Sequence, residues 1–304
     1  MRARQHGVAI ILAMGVVALA AMSATALMTA QSTWARQVEL SAGHVQAQLL
    51  IGAGLDWARA VLSDDRRASS VDTLSEPWAL RLAPIPVDNG DLAGYIEDQQ
   101  GKFNLNNLLQ DGKVNPLQLA SFRRLLSVLG LPPALADTLL DWIDADGEQQ
   151  PQDGAEDAYY LALQPPYLAA NQPLIDVAEL ALVRGFDDKV RARLRPFVTA
   201  LPHFTAVNVN TAAPEVIAAI VVGLDLDAAR AIVLQRERAY FRNAADFLAQ
   251  LPAGLVVPVE NVAVSSDYFI ATTQVNIGAA QANGTALLVR GNTGWPAIVW
   301  RKTL

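Results

Sequence analysis

The chain has 304 residues, of which 52% are hydrophobic, with a formal net charge of −7 and no cysteine. A chain of that length holds roughly two domains of about 150 residues each, and its mild acidity excludes a general attraction for nucleic acid. The absence of cysteine excludes a disulfide framework and thiol chemistry, but not an oxidising compartment, because a domain of this size needs no covalent staples.

The chain opens "MRARQHGVAIILAMG". Arg2, Arg4 and His6 precede a glycine, and the run from Val8 to Ala35 carries no charge. A secretory signal has an apolar region of about 7–15 residues, and this run is longer. As a helix rising about 1.5 Å per residue, Val8 to Ala30 reaches about 35 Å, enough to cross a hydrocarbon core of about 30 Å. The basic residues ahead of it predict a cytoplasmic N-terminus and an exported body. Three leaders share this outline: a secretory leader, with Ala24-Thr25-Ala26 imitating a signal peptidase site, a plain single-pass anchor, and the leader of a subunit built into a membrane-assembled fibre. From Gln31 to about Leu62 the pattern stays helical, with Trp34, Val38, Val45, Leu49, Leu55 and Trp57 placed so that one face packs on a globular body. The "DDRRASS" stretch then ends the helix.

After Ser63 the period changes. "LRLAPIPVDNGDLAGYIED" and, at the far end, "DYFIATTQVNI", "TALLVRGNTG" and "PAIVWRKT" read as short strands separated by Asn-Gly and Asn-Thr-Gly turns. Between them, Asn106 to about Pro258 reads as helical. The spacing predicts an α+β fold in which an antiparallel sheet is split by a large all-α insertion: a leader over 1–7, a membrane-spanning helix over 8–62, an α+β domain from 63–104 and 264–304, and an inserted α-domain over 105–263. Inside the insertion "FNLNNL" and "VNVNTAAPEVIAAI" each set an Asn-x-Asn ahead of a helix as a cap, and a Gly-apolar turn follows each time. That repeat has the outline of two helix-hairpin-helix, or SAM-like, units. A DNA-reading hairpin brings turn amides to a phosphate with cations nearby. Here Asp225 and Asp227 stand where the phosphate would sit, so repulsion outweighs the Arg230, Arg236, Arg238 and Arg242 run, and no nucleic-acid partner is expected.

The densest chemical signal is "DWIDADGEQQPQDGAEDAYYL". Asp141, Asp144, Asp146, Glu148, Asp153, Glu156 and Asp157 are its carboxylates, and Gly147 and Gly154 let the backbone turn. Calcium takes six to eight oxygen ligands, and carboxylates at alternate loop positions converge on one centre. The loop starts like an EF-hand, Asp-x-Asp-Gly, yet the twelfth position is Ala155, so a calcium loop of another type is expected. A solvated acidic loop and a glycosidase-like carboxylate pair are the alternatives. His6, His44 and His203 lie elsewhere in the sequence, which argues against zinc.

The Gly7-Val8 junction and the unbroken apolar helix behind it resemble the class III leader of type IV pilins and type II secretion pseudopilins. The resemblance implies that a prepilin peptidase cuts after Gly7 and methylates the freed Val8. Most members of that family carry a glutamate fifth after the cut, thought to neutralise the amine of the subunit above; Leu12 stands there in this chain. Lacking that carboxylate suits a subunit with nothing above it, at the fibre tip. With "GKFNLNNL" at Gly101, "DWIDAD" at Asp141, "GAEDAYYL" at Gly154 and "VNVNTA" at Val207, the whole chain resembles the minor pseudopilin K family of type II secretion. That resemblance implies no enzymatic activity, bound calcium with ligands at Asp144, Asp146, Glu156 and Asp157 and less directly Asp141, Glu148 and Asp153, and a tip complex with minor pseudopilins I and J. A membrane-anchored periplasmic hydrolase using the acidic loop and a hairpin-based DNA-uptake receptor are the readings from other classes.

Overall fold

The computed structural model describes residues 6–255, 257–291 and 294–303. Of the leader, residues 1–5, including Arg2 and Arg4, lie outside the described residues. Helix α1, His6–Ala68, is one uninterrupted rod, about 95 Å long at 1.5 Å per residue. Its first part is exposed and contains a window of mean hydropathy 2.3, long and apolar enough to cross a membrane. The helix continues past Leu62 to Ala68, where Arg66 and Arg67 stand in the last turn and complement its negative carbonyl end.

The C-terminal half of α1 packs on a sheet. Ala47, Ile51, Leu55, Ala58 and Leu62 recur at the spacing of one helix face, and bury against Phe269, Ala271, Val275, Ala286 and Leu288. The sheet contains β1 (Leu82–Val87), β2 (Gly90–Asp98), β3 (Tyr268–Ile277), β4 (Ala280–Val289) and β5 (Ala297–Thr303), adjacent in that order. Every pairing is antiparallel. Chain order and spatial order coincide, yet everything between Asp98 and Tyr268 leaves the sheet and returns. The Asn89–Gly90 turn joins β1 to β2 as expected, with Asn89 at φ 62°. Asn283–Gly284, read as a turn from the sequence, lies inside β4 instead. Gly284 stands there because α1 presses on the sheet at that point, and an added Cβ would come 2.2 Å from Ile51 Cγ2.

The excursion has its own core. Helix α2 (Pro116–Val128) is entered through Asn115, whose side chain accepts from the N–H groups of Leu117 and Gln118. It leads through Gly130 to α3 (Leu135–Ile143). A short α4 (Asp157–Tyr160) and α5 (Asp188–Leu194) follow. Then α6 (Pro214–Ile220) turns through Gly223 into α7 (Leu226–Arg238), and α8 (Ala244–Leu248) closes the region. Phe103, Leu105, Phe122, Leu125, Val216, Ile217 and Phe247 belong to one buried cluster. Much of the stretch is irregular rather than helical, and two short parallel pairings, Phe103–Asn104 with Val198–Thr199 and Val207–Asn208 with Val262–Ala263, tie it together.

The Asn-x-Asn motifs do not cap the long helices. Asn104 caps only the 3-10 turn Leu105–Leu108, and α6 has Ala213 at its N-cap position, with no side-chain cap. Asn106, Asn208 and Asn210 are spent on distant backbone instead. Asn106 Nδ2 donates to the carbonyls of Leu174 and Leu201, and Asn210 exchanges two bonds with Phe241. Asn208 joins the crossing point between sheet and excursion, where the buried carboxylate of Asp98 accepts from Gln100 N, Asn208 Nδ2, Thr211 Oγ1 and Ser266 Oγ. Beside it Arg290, almost fully buried, pairs at 2.6 Å with both Asp65 and Asp72. The end of α1, the last strands and the excursion therefore meet in one polar joint.

Candidate metal centre

Helix α3 is amphipathic and delivers the acidic loop from a fixed end. Leu139, Leu140, Trp142 and Ile143 bury into the core, and Asp144 ends the helix with its N–H donating to Leu140 O at 2.9 Å. Past the loop, Tyr160 packs edge-on to Trp142 with centroids 5.0 Å apart, closing the far side. The loop is thus strung between two buried aromatic anchors.

Its carboxylates divide by what they touch. Asp144, Asp146 and Glu156 present oxygens that all lie within 4.8 Å of one another. Neither oxygen of buried Asp144 has a hydrogen-bond partner, and neither has Glu156 Oε1. Burial, then repulsion from Asp146 and Asp141, pushes the Asp144 carboxyl up to about 6. Burial, followed by the charges of Asp141, Asp144, Asp157 and Asp146, pushes Glu156 up to about 7. The remaining acids are otherwise engaged. Asp141, fully buried, accepts from Gln150 N with both oxygens at 3.2 Å, and burial raises it to about 6. Asp157 Oδ1 accepts from Ala169 N at 2.9 Å. Asp153 lies 3.9 Å from Arg184 Nη2, and Glu148 is exposed, its N–H donating to Asp146 Oδ1 at 2.9 Å.

A buried carboxylate with no donor and no counter-ion costs several kcal/mol, and a cation among these oxygens would offset that cost. The other three-carboxylate group found among the described residues, Asp65, Asp72 and Glu76, shows the contrast. Arg290 serves Asp65 and Asp72 there, while Glu76 Oε2 accepts from Thr73 N and Trp78 Nε1. That group has protein donors on each of its carboxylates; Asp144 in the loop group has none. Three hard oxygen donors with no imidazole suit calcium over zinc. Asp144, Asp146 and Glu156 would hold such an ion, with Asp141 and Asp157 shaping the loop around it.

The other predicted sites fall as follows. Gly7 is part of α1; Val8 and Leu12 lie exposed on its apolar stretch. Asp225 N-caps α7, accepting from Ala228 N at 2.7 Å, and Asp227 pairs with Arg230 at 2.9 Å. Arg236 is buried, with Nη1 donating to the carbonyls of Val209 and Ala212, and Arg242 pairs with Asp246. The acidic turn and much of the arginine run are thereby accounted for within the fold. Neither Arg184 nor the Arg290 joint was legible from the chain alone, because their partners are distant along it.

Comparisons with known proteins bear on the family. The family described as type II secretion system (T2SS), protein K matches residues 101–203 and 207–265. Type II secretion system protein K of Pseudomonas aeruginosa is 37% identical over 306 residues, covering 97% of this chain and 91% of the relative. The chain belongs to the type II secretion system protein K family. Its Aeromonas hydrophila member is 34% identical, with 84% of each chain covered. Among solved structures, a chain of the GspK-GspI-GspJ complex from the enterotoxigenic Escherichia coli type 2 secretion system is similar with a TM-score of 0.78 at 28% identity, covering 88% of this chain and 99% of that one. These relatives give no support to the hydrolase or DNA-uptake readings.

Proposed function

We propose that this protein K homologue is the minor pseudopilin at the tip of its secretion pseudopilus, where it nucleates and caps the fibre that moves folded proteins across the outer membrane. The observation that carries the placement is Leu12, exposed on an apolar helix at the position where the family resemblance expects a glutamate. In a lipid-like environment an uncompensated ammonium from a subunit above would cost about 3–5 kcal/mol, so a subunit without the carboxylate belongs where nothing sits above it. The excursion between Asp98 and Tyr268 supports the same position, since a mass of that size on the sheet is hard to accommodate beneath neighbours in a close-packed shaft.

In this reading α1 first holds the chain in the inner membrane with its N-terminus cytoplasmic and its body periplasmic, and prepilin peptidase cuts between Gly7 and Val8. The helix then pairs with the helices of minor pseudopilins I and J, by analogy with the related complex. The division into a pseudopilin body and an inserted α-domain is supported by the two larger buried clusters, one in each, and the α2–α3 and α6–α7 pairs are its SAM-like units. Calcium held by Asp144, Asp146 and Glu156 is structural, screening charges that otherwise repel, and no step asks this chain for catalysis.

Coexpression tests the reading. With pseudopilins I and J of its own system, the full chain is expected to purify from detergent as a three-protein complex, and a chain that migrates alone under those conditions contradicts it.

A further inference from the structure

We infer that Arg184 is a positioning residue of the metal centre: from a separate segment it holds Gly154 to Glu156 in the shape that aims Glu156 at Asp144. This rests on the calcium reading above. Arg184 lies between the 3-10 turn Val177–Leu182 and α5. Its own N–H donates to the Tyr160 hydroxyl at 3.3 Å, which fixes the backbone there. Its side chain then makes three contacts with the loop at once. Nη1 donates to the Gly154 carbonyl at 3.3 Å, Nη2 lies 3.9 Å from Asp153 Oδ1, and the guanidinium stands 4.8 Å over the Tyr159 ring. Gln149 Nε2 gives the same Gly154 carbonyl a second donor at 2.5 Å.

That carbonyl precedes buried Ala155 and then Glu156, so holding it sets the direction of the ligand. The inner side of Gly154 is closed, because an added Cβ would lie 2.2 Å from Asp141 Oδ2. The segment is therefore clamped between Asp141 inside and Arg184 outside. A planar fork can donate and stack together, whereas an ammonium cannot reproduce both contacts.

The sign of the effect separates positioning from charge. Coulomb's law alone predicts that deleting a cation beside the loop strengthens calcium binding; loss of a positioning contact weakens it. Calcium is titrated calorimetrically into the full chain in detergent micelles. The unaltered chain is expected to bind, and Asp144→Asn to lose binding. Arg184→Ala should weaken affinity by about tenfold or more, the range typical of residues that orient metal ligands. Arg184→Lys, which keeps the charge and the stem, should weaken it too, and it carries the test if the alanine variant fails to fold. Affinity equal to or above that of the unaltered chain in the folded Arg184 variants overturns the inference while leaving calcium in place. Absence of binding by the unaltered chain overturns the calcium reading itself, and the inference with it.

Discussion

Asp98 sits where the chain leaves the sheet, buried among four donors. Burial raises its carboxyl from 3.8 to about 6, against the pull of the Thr211 and Ser266 hydroxyls and Gln100 N–H, with Asp72 adding repulsion. The sign follows from linkage. Between about pH 4 and 6 the folded state still holds a proton that the unfolded chain has released, so this group's contribution to stability is greatest below pH 4 and falls as pH rises through that window, by at most about 1.4 kcal/mol per pH unit. Asp65, raised to about 6 by burial and Glu76, acts in the same direction. Asp98→Asn is therefore expected to flatten the decline of unfolding free energy over this range by up to one proton equivalent, as read from denaturant melts at several pH values; an unchanged slope contradicts it. Such a joint was not legible in the sequence. Arg290 and Asp65 are 225 positions apart and Asp98 and Ser266 are 168 apart, and no local period marks residues that meet only after folding. The acidic loop was legible because its carboxylates are neighbours in the chain, but which of them face one another was not: Asp144, Asp146 and Glu156 converge, while Asp157 Oδ1 accepts from Ala169 N and Asp153 lies beside Arg184.

The strands and the long helix were visible as alternation and helical spacing, but the packed face of the helix was not: of Trp34, Val38, Val45, Leu49, Leu55 and Trp57 only Leu55 is buried, and Ala47, Ile51, Ala58 and Leu62 complete the face instead. The other exceptions were glycines and asparagines, whose meaning depends on what approaches them. Asn283–Gly284 carries the same Asn-Gly hairpin signal as Asn89–Gly90, yet it lies in β4, where Gly284 meets Ile51 of α1. Gly284→Val is expected to push the helix off its seat at a cost of about 1–3 kcal/mol, lowering the melting midpoint by roughly 2–4 °C per kcal/mol. Gly52→Ala, on the same helix with nothing within 4 Å of the added Cβ, should leave the midpoint unchanged or raise it. Equal behaviour of the two variants in a thermal melt would show that the helix does not rest on β4 as described. The Asn-x-Asn motifs failed as cap signals for a related reason. An asparagine buried in a loop satisfies distant backbone groups as readily as a helix end, and only the fold decides which.

At the scale of the whole molecule, one long helix, apolar in its first part, carries a sheet on its C-terminal half, and an excursion with its own core departs at Asp98 and returns at Tyr268. The polar joint ties that excursion to the end of α1, so the subunit presents a wide body above a single helix. A shape of this kind, with no carboxylate at Leu12, fits the end of a helical polymer and not its interior. Localisation on assembled fibres tests this most directly. Pseudopili sheared from cells producing the chain with an epitope after Thr303, decorated with gold-labelled antibody and imaged by electron microscopy, are predicted to carry label at one end only; label spaced along the shaft would contradict the tip assignment.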